Sequence, residues 1–251
     1  MRVFALSDIH VDYEGNKRWL FNLSRQDYQQ DILILAGDIT DDLAVLEQCF
    51  GYLSSIFHQV LYVPGNHELW VKRDAIKCSF EKFNTISRLA SDCDISMQYY
   101  QTDALGIVPL LAWYDFSFGV PGSALNAAWA DFYHCRWPDG YREAEITHYF
   151  LSKNTIDIDK ADKTIISFSH FLPSIDVMPS YIPQKHRYLY PVLGSQALGR
   201  QVTALNPAIH VYGHSHVNRQ VTINGIQYIN NAFGYPSEEW PKKQLLCIYQ
   251  T

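Results

Sequence analysis

Charged residues are scarce in this sequence. Asp, Glu, Lys and Arg make up 18% of its 251 residues, whereas an average globular chain has about 25%. The net charge of −6 leaves no basic excess, so binding to nucleic acid or to an anionic membrane surface is disfavoured. The sequence also lacks any apolar run approaching ~20 residues, and we therefore expect no membrane-spanning helix.

Closely spaced cysteine pairs, which could form a redox motif or a zinc site, are also absent. The five cysteines are odd in number and widely spaced, at Cys49, Cys78, Cys93, Cys135 and Cys247. This pattern predicts reduced thiols in a cytoplasmic protein. Met1 leads directly into the first predicted strand, so no signal peptide is expected.

What the sequence does contain is a set of short apolar runs that end in residues able to bind a metal ion. The runs span residues 2–7, 32–35, 60–63, 164–169 and 208–212, and each predicts a buried β-strand. The polar residues that follow them are Asp8, His10, Asp38, Asn66, His67, Glu68, His170, His214 and His216. Ligands of open α/β sheets lie beyond the carboxyl ends of the strands. We therefore expect these side chains to lie close together.

The types of these side chains favour a pair of metal ions. Imidazole and carboxylate groups suit Zn, Mn, Fe, Co or Ni, and a carboxylate can bridge two ions. Seven candidate ligands are too many for one ion that must also bind a substrate: Asp8, His10, Asp38, Asn66, His170, His214 and His216. Two ions about 3.5–4 Å apart can clamp the attacking and leaving oxygens of a displacement at phosphorus. The sequence therefore predicts two divalent or trivalent metal ions as cofactors.

The order and spelling of the motifs resemble the calcineurin-like metallophosphoesterases. The matching motifs are Asp8-x-His10, Gly37-Asp38-x-x-Asp41, Gly65-Asn66-His67-Glu68, His170 and Gly213-His214-x-His216. The resemblance implies an α/β fold, the four-layer α/β/β/α sandwich of the metallo-dependent phosphatases. It also implies the division of the ligands between two ions, one held by Asp8, His10 and His216 and the other by Asn66, His170 and His214.

The same resemblance implies roles for three further positions. Asp38 would bridge the two ions. His67 matches the family's non-ligand histidine beside the scissile bond, and Asp41 matches the carboxylate that orients this histidine.

One departure from the pattern narrows the resemblance. The protein Ser/Thr phosphatases of this superfamily continue their second motif with Asp-Arg-Gly, and that arginine grips the phosphate. In this sequence Asp41 is followed by Asp42 and Leu43. The motifs are therefore closer to the bacterial-type phosphodiesterase and phosphatase branch.

These observations predict a metal-dependent phosphoester hydrolase that acts on a small phosphorylated substrate, with a phosphodiester favoured. A hydroxide bridging the ions would attack phosphorus in line, and His67, oriented by Asp41, would protonate or stabilise the leaving oxygen. Three alternatives stay open. They are a phosphomonoesterase acting on a small molecule or a phosphoprotein, a nuclease, which the acidic balance disfavours, and a catalytically silent scaffold of the same fold.

The candidate ligands run from residue 8 to residue 216, so a domain boundary between them would split the site. We therefore predict a single domain over residues 1–251, with an aromatic-rich excursion at about 113–162. The excursion is either a separate hydrophobic cluster or a wall over the metal centre that selects the organic part of the substrate. Lys185 and Arg187 are either phosphate contacts or part of a solvated basic turn.

Periodicity and turn signals predict the remaining elements. Helices are expected at 16–28, 74–90, 123–133, 141–156 and 194–205, together with a helix that follows a cap at Asp41 or Asp42. Strands at 95–101 and 104–111 would open a second sheet, and strands at 217–223, 225–230 and 244–249 would form a closing antiparallel run. Asn224-Gly225 predicts a tight hairpin turn, and His210, within a buried strand, is expected to be structural.

Overall fold

The structure, a computed structural model, describes residues 1–239 and 242–250. The α-helices in these residues are α1 (Glu14–Phe21), α2 (Leu43–Ile56), α3 (Ser79–Asp92), α4 (Ser123–Ala128), α5 (Asp131–His134), α6 (Glu143–Leu151) and α7 (Gln196–Leu205). The β-strands are β1 (Arg2–Leu6), β2 (Ile32–Leu35), β3 (Gln59–Tyr62), β4 (Ile95–Ser96), β5 (Tyr100–Gln101), β6 (Leu105–Pro109), β7 (Thr164–Phe168), β8 (Ile209–Tyr212), β9 (Arg219–Ile223), β10 (Ile226–Asn230) and β11 (Leu246–Gln250).

The strands form two sheets in which parallel pairing predominates. The first sheet has the order β11-β1-β2-β3-β4, and the second has the order β5-β6-β7-β8-β10-β9. In the first sheet β1 to β4 are parallel, and β11 is antiparallel to β1. In the second sheet β6, β7, β8 and β10 are parallel, whereas β5 and β9 are antiparallel edge strands. The predicted α/β fold is confirmed.

Alternate residues of the strands face two different apolar layers. Val3, Ile34 and Leu61 of the first sheet share one buried cluster with Ile166 and Val211 of the second sheet. The intervening residues of the strands, which point to the other face, belong to a larger cluster that includes the apolar faces of α2, α3 and α7. The two sheets therefore pack face to face, with helices on their outer surfaces, as the four-layer sandwich requires.

Two helices in the first half of the chain are shorter than their apolar patterns predict. α1 begins at Glu14 and ends at Phe21, because Ser24 Oγ accepts hydrogen bonds from the backbone N–H groups of Gln26 and Asp27 and turns the chain. α3 begins at Ser79 instead of residue 74, because the N–H of Ser79 donates to the carbonyl of Arg136 outside the helix. α2 is capped as predicted, since Asp42 Oδ1 accepts from the N–H groups of two residues in its first turn.

The helices of the excursion are also shorter than predicted. The expected helix at 123–133 is divided into α4 and α5, because Trp129 adopts an extended conformation between them. The expected helix at 141–156 is reduced to α6, Glu143–Leu151.

The predictions of strand pairing were partly wrong. The expected strand at 95–101 is divided between the sheets, since β4 pairs with β3 and β5 pairs with β6. The hairpin at Asn224-Gly225 is confirmed, with φ angles of 51° and 83° that suit its turn. The closing run is not antiparallel throughout, because β10 is parallel to β8 and β11 pairs with β1 of the first sheet.

That residues 1–251 form one domain stays a prediction. Two observations favour it, namely that β11 returns from the end of the chain to β1, and that one apolar cluster contains residues of both sheets. Among the described residues, no helix has both the length and the apolar character needed to cross a bilayer.

Candidate metal centre

The candidate ligands meet beyond the carboxyl ends of β1, β2, β3, β7 and β8. In one group, the ligand atoms of Asp8, His10 and His216 lie within 4.8 Å of one another. His10 Nε2 is 3.1 Å from His216 Nε2, which in turn is 3.2 Å from Asp8 Oδ1. This is the set that the motifs predict for one ion.

A second group forms beside the first. The ligand atoms of Asp38, His170 and His214 also lie within 4.8 Å of one another. His170 Nε2 is 3.0 Å from His214 Nδ1 and 3.2 Å from Asn66 Oδ1. A third group, of His10, Asp38 and His67, joins the two. Asp38 therefore lies between the two halves, where a bridging carboxylate is expected.

The backbone at the centre is held in an uncommon conformation. Eleven non-glycine residues in the described part of the chain have positive φ angles, and five of them are candidate ligands: Asp8, His10, Asp38, His214 and His216. Left-handed backbone at such residues persists only where the surroundings enforce it, and it clusters at functional sites. Gly65 is needed for the same close packing, because a Cβ there would lie 2.1 Å from Asp38 Oδ1.

In three of the four histidines among the candidate ligands, the ring nitrogen that faces away from the centre lies near an acceptor. His170 Nδ1 lies 2.8 Å from the carbonyl oxygen of Ala36, and His214 Nε2 lies 3.1 Å from that of Val192. His216 Nδ1 lies 2.8 Å from Glu238 Oε2. With the N–H on these outer nitrogens, the opposite nitrogens present their lone pairs to the centre. Metal-binding histidines have this arrangement in most proteins.

Burial sets the ionisation of the histidines. It lowers the pKa of His10, His170 and His214 below the ordinary imidazole value, which keeps these rings neutral. Burial also lowers the pKa of His216, but the carboxylates of Asp8 and Glu238 outweigh it and bring this pKa to about 10. Without an ion this ring therefore carries a second proton, which metal binding would release.

Burial also affects the pKa values of the two central carboxyl groups, Asp38 and Asp8. Burial, followed by the charges of Glu68 and Asp8, raises the pKa of Asp38 well above its usual range. Burial also acts to raise the pKa of Asp8, but His216 and the other imidazoles lower it overall. Neutral imidazoles and crowded carboxylates form a donor set that a cation stabilises. The residues of this site therefore fit metal ions of the kind that imidazole and carboxylate bind.

His67 and Asp41 lie at the rim of the centre, but they do not contact each other. The backbone N–H of His67 donates to Asp38 Oδ1 at 3.0 Å. The ring of His67 is stacked on Trp70 with a centroid distance of 3.8 Å. Asp41 Oδ1 lies 2.7 Å from a guanidinium nitrogen of Arg73. In the described part of the chain no hydrogen bond or ion pair joins Asp41 to His67, so the role predicted for Asp41 stays a prediction.

Glu68 holds two of the ligand-bearing loops together. Its buried carboxylate accepts hydrogen bonds from the backbone N–H groups of Asp38, Ile39 and Thr40 after β2, and from that of Gly65 after β3. Burial raises the pKa of Glu68 to about 7, against the effect of these four donors. The sequence pattern indicated only that Glu68 belongs to a motif. Its position directly after Asn66 and His67 was the signal that could have identified it.

Asp131 and Glu238 also contribute to the site, and the sequence reasoning missed both. Glu238 contacts His216, and Asp131 accepts a hydrogen bond from the side-chain amide of Asn66 at 2.8 Å. The ring of Trp129 lies edge-on to His214, with a centroid distance of 5.7 Å. The excursion therefore packs against the centre, as the prediction of a wall requires.

Lys185 and Arg187 lie in the segment after β7, and Arg187 forms hydrogen bonds within that segment. Arg187 donates from Nε to the carbonyl of Ile182 and from a terminal nitrogen to the carbonyl of Ser180, each at 3.0 Å. These bonds favour a structural role for Arg187. For Lys185 both alternatives, a phosphate contact and a solvated basic turn, stay open.

Comparison with known proteins gives consistent results. The family model described as Calcineurin-like phosphoesterase matches residues 1–218. The [acyl-carrier-protein] phosphodiesterase PptH of Mycobacterium tuberculosis is 24% identical over 269 residues, which cover 96% of this chain and 80% of that protein. The uncharacterized protein L509 of Acanthamoeba polyphaga mimivirus is 25% identical over 271 residues, with coverage of 95% and 93%.

A solved structure has a similar fold. The crystal structure of phosphopantetheinyl hydrolase (PptH) from Mycobacterium tuberculosis matches with a TM-score of 0.79 and 22% sequence identity. The match covers 98% of this chain and 95% of that one.

Proposed function

Because this chain belongs to the calcineurin-like phosphoesterase family and is a metal-dependent phosphoester hydrolase, we propose that its substrate is a phosphodiester and that two metal ions act together in the centre. The observation that carries the proposal is the convergence of three compatible ligand groups beyond the carboxyl ends of strands from both sheets, with Asp38 common to two of them. A silent scaffold would have no need of this complete set.

Two features support a diester over a monoester. The relative PptH, aligned over 96% of this chain, is named as a phosphodiesterase. In addition, the arginine that grips phosphate in the protein phosphatases is missing after Asp41. A dianionic monoester depends on such a cation more than a monoanionic diester does.

The candidate ligands divide between the two ions as the motifs indicate. Asp8, His10 and His216 would hold one ion, Asn66, His170 and His214 the other, and Asp38 both. The bound ions supply Lewis acidity to the phosphoryl oxygens and to the attacking water. The chain itself fixes the direction of three of these rings, through Ala36 on His170, Val192 on His214 and Glu238 on His216.

We propose that His67 acts on the leaving oxygen. Burial, followed by the charges of His170 and His216, lowers the pKa of His67 to about 3, so the free site holds a neutral ring. A neutral imidazole can donate one N–H hydrogen bond, and an adjacent phosphate anion raises its pKa toward that of a proton donor. The indole of Trp70 keeps the ring in one plane.

The nature of the esterified group is the least constrained part of the proposal. The relative PptH is an [acyl-carrier-protein] phosphodiesterase by name, and the aromatic excursion offers apolar surface beside the centre. We propose a small phosphorylated group, either free or carried on a protein, as the substrate. The five free cysteines support a cytoplasmic location.

The test compares substrates and metals in one series. Protein stripped with a chelator is reloaded with Mn, Fe, Zn, Co or Ni and assayed on bis-(para-nitrophenyl) phosphate, para-nitrophenyl phosphate, a cyclic nucleotide, a phosphopeptide and a phosphopantetheinylated carrier protein. We expect no turnover without metal and at least about tenfold higher kcat/KM on a diester, equivalent to about 1.4 kcal/mol. A tenfold preference for a monoester contradicts the diester assignment, and full activity of the stripped protein contradicts metal dependence.

A further inference from the structure

Asp131, the first residue of α5, is a buried carboxylate at the inner end of the aromatic excursion. Only 2% of its surface is exposed. Three side-chain N–H groups converge on it. Oδ1 accepts from Asn66 Nδ2 at 2.8 Å and from Trp70 Nε1 at 2.7 Å, and Oδ2 accepts from Trp129 Nε1 at 2.8 Å. A carboxylate that receives only donors has no partner for a proton of its own, so these contacts favour its ionised form.

The contact with Asn66 determines which end of its amide faces the metal centre. A carboxylate accepts hydrogen bonds and cannot donate, so the NH₂ group of Asn66 must point toward Asp131. The amide oxygen then points the other way, and it lies 3.2 Å from His170 Nε2. Only the oxygen of an amide is a metal ligand. A reversed amide would present its NH₂ group to the ion instead.

The carboxylate of Asp131 also accepts a hydrogen bond from the residue on which His67 stacks. Trp70, which donates to Asp131 Oδ1, stacks on His67 with a ring centroid distance of 3.8 Å. Trp129, which donates to Oδ2, contacts the ring of His214. Asp131 thus contacts Asn66 directly, and it is linked to His67 and His214 through the rings of Trp70 and Trp129.

We propose that Asp131 is a positioning residue that orients the amide oxygen of Asn66 toward the half of the centre formed by Asp38, His170 and His214. This inference rests on the proposed function for the assignment of Asn66 as a ligand. It gives the excursion a part in metal binding, in addition to forming a wall of the site.

The test is a double-mutant cycle on metal affinity. Stripped wild-type protein, Asp131→Asn, Asn66→Ala and the double variant are titrated with Mn²⁺ alone in a calorimeter. In Asp131→Asn we expect the affinity for one ion to fall by about 10–100-fold, as is usual when a group that orients a ligand is lost. The affinity for the other ion, held by Asp8, His10 and His216, should stay within about threefold.

The double variant separates orientation from a general structural or charge effect. Once Asn66 has been removed, Asp131 has no amide to orient. The double variant should therefore have an affinity for this ion no more than about threefold below that of Asn66→Ala. Independent effects would instead multiply. Asp115→Asn is the matched control, because Asp115 is another acid of the excursion, and it accepts hydrogen bonds from Ser117 and Ser195 instead of from a residue of the centre. Both affinities should stay within about threefold in this variant.

Circular dichroism and the melting temperature of each stripped protein establish that the variants are folded. If Asp131→Asn does not fold, Asp131→Glu, which displaces the acceptor by one methylene, is carried through the same cycle with the same expectation. Multiplicative losses, equal losses of both ions, or unchanged affinities overturn the inference. A wild-type protein that binds two ions but hydrolyses no diester contradicts the proposed substrate and leaves the inference intact.

Discussion

Individual side chains at the centre differ in what their removal should change. Asp38 lies in two of the ligand groups, and its Oδ1 accepts a hydrogen bond from the backbone N–H of His67. His67 lies in one group, and its ring is held by stacking on Trp70. We proposed a bridging role for Asp38 and a role at the leaving oxygen for His67, and the two roles predict different losses.

Asp38→Asn should reduce both bound metal and turnover, because the bridging carboxylate is lost. His67→Ala should keep its metal content, while turnover falls by about 10²–10⁴-fold, the usual contribution of a positioned acid. Elemental analysis of the purified proteins and assays with a poor leaving group measure the two effects. His134→Ala is the control, since His134 stacks on the far face of Trp70, and it should keep both metal and turnover within about threefold. Loss of metal in His67→Ala would instead identify His67 as a ligand.

Because His210 is buried, we predict a pH dependence of stability that does not involve the metal centre. It is fully buried between Ser167 and Ser169, whose hydroxyl groups lie 2.7 and 3.1 Å from its ring nitrogens, and Tyr228 is the adjacent ring. Burial lowers its pKa from 6.5 to about 3. Between these values the unfolded chain takes up a proton that the folded protein does not, so the free energy of unfolding falls as the pH falls below 6.5.

His210→Gln should therefore make the stripped protein less sensitive to acid. From about pH 6 to pH 4, the free energy of unfolding of the wild-type protein should fall more steeply than that of the variant by about 1 kcal/mol per pH unit, close to the limit for one proton. Urea unfolding at a series of pH values measures the two slopes. Parallel slopes would mean that His210 is charged within the fold.

At the scale of elements, α3 holds two loops of the centre through one buried lysine. Lys82 Nζ donates to the carbonyl of Asp41 after β2 and to that of Trp70 after β3, and it lies 2.8 Å from Asp74 Oδ2. Glu68 joins the same two loops through backbone N–H groups. The loops that carry Asp38 and Asn66 are therefore fixed by one buried acid and one buried base.

Lys82→Met should lower the free energy of unfolding by about 3–5 kcal/mol, because it leaves the buried Oδ2 of the partly buried Asp74 and two carbonyl groups without their cation. Arg18→Met is the control, since Arg18 forms an exposed pair with Glu14 at 3.5 Å and should change stability by less than about 1 kcal/mol. Urea denaturation of both stripped variants gives the comparison. Similar losses in the two variants would contradict a special role for Lys82.

At the scale of the whole molecule, the centre joins the two sheets. Asp8, Asp38 and Asn66 follow strands of the first sheet, whereas His170 and His214 follow strands of the second. An ion bound by residues of both sheets stabilises only the folded arrangement. Metal at a thousand times its dissociation constant contributes about 4 kcal/mol.

Chelation should therefore lower the melting temperature by on the order of 10 °C, since about 1 kcal/mol corresponds to roughly 2–4 °C for a chain of this size. Calorimetric scans with Mn²⁺ and with chelator measure the shift. Asp38→Asn should show less than half of it. Equal melting temperatures for the loaded and stripped wild-type protein would show that metal binding is not linked to folding.

The sequence by itself determined the fold class and which polar side chains meet at the centre. A buried strand followed by Gly37 and Asp38, or by Gly213 and His214, is a local pattern, and its side-chain chemistry can be read without knowing the neighbours. Ligands of α/β sheets lie beyond the carboxyl ends of the strands, and this rule predicts that these side chains lie close together. The cap at Asp42 and the turn at Asn224-Gly225 are equally local, and both were predicted.

Only the tertiary structure decided which distant groups hold the ligands in place. Asp131 contacts Asn66 across 65 positions of sequence, and β11 pairs with β1 from the opposite end of the chain. The local sequence of an apolar run or of an isolated acid does not identify its contact partner in the fold, because many pairings bury the same surface equally well. The choice among them follows from the packing of all the layers at once, which places Asp131 and Glu238, two acids that sequence reasoning missed, against the centre.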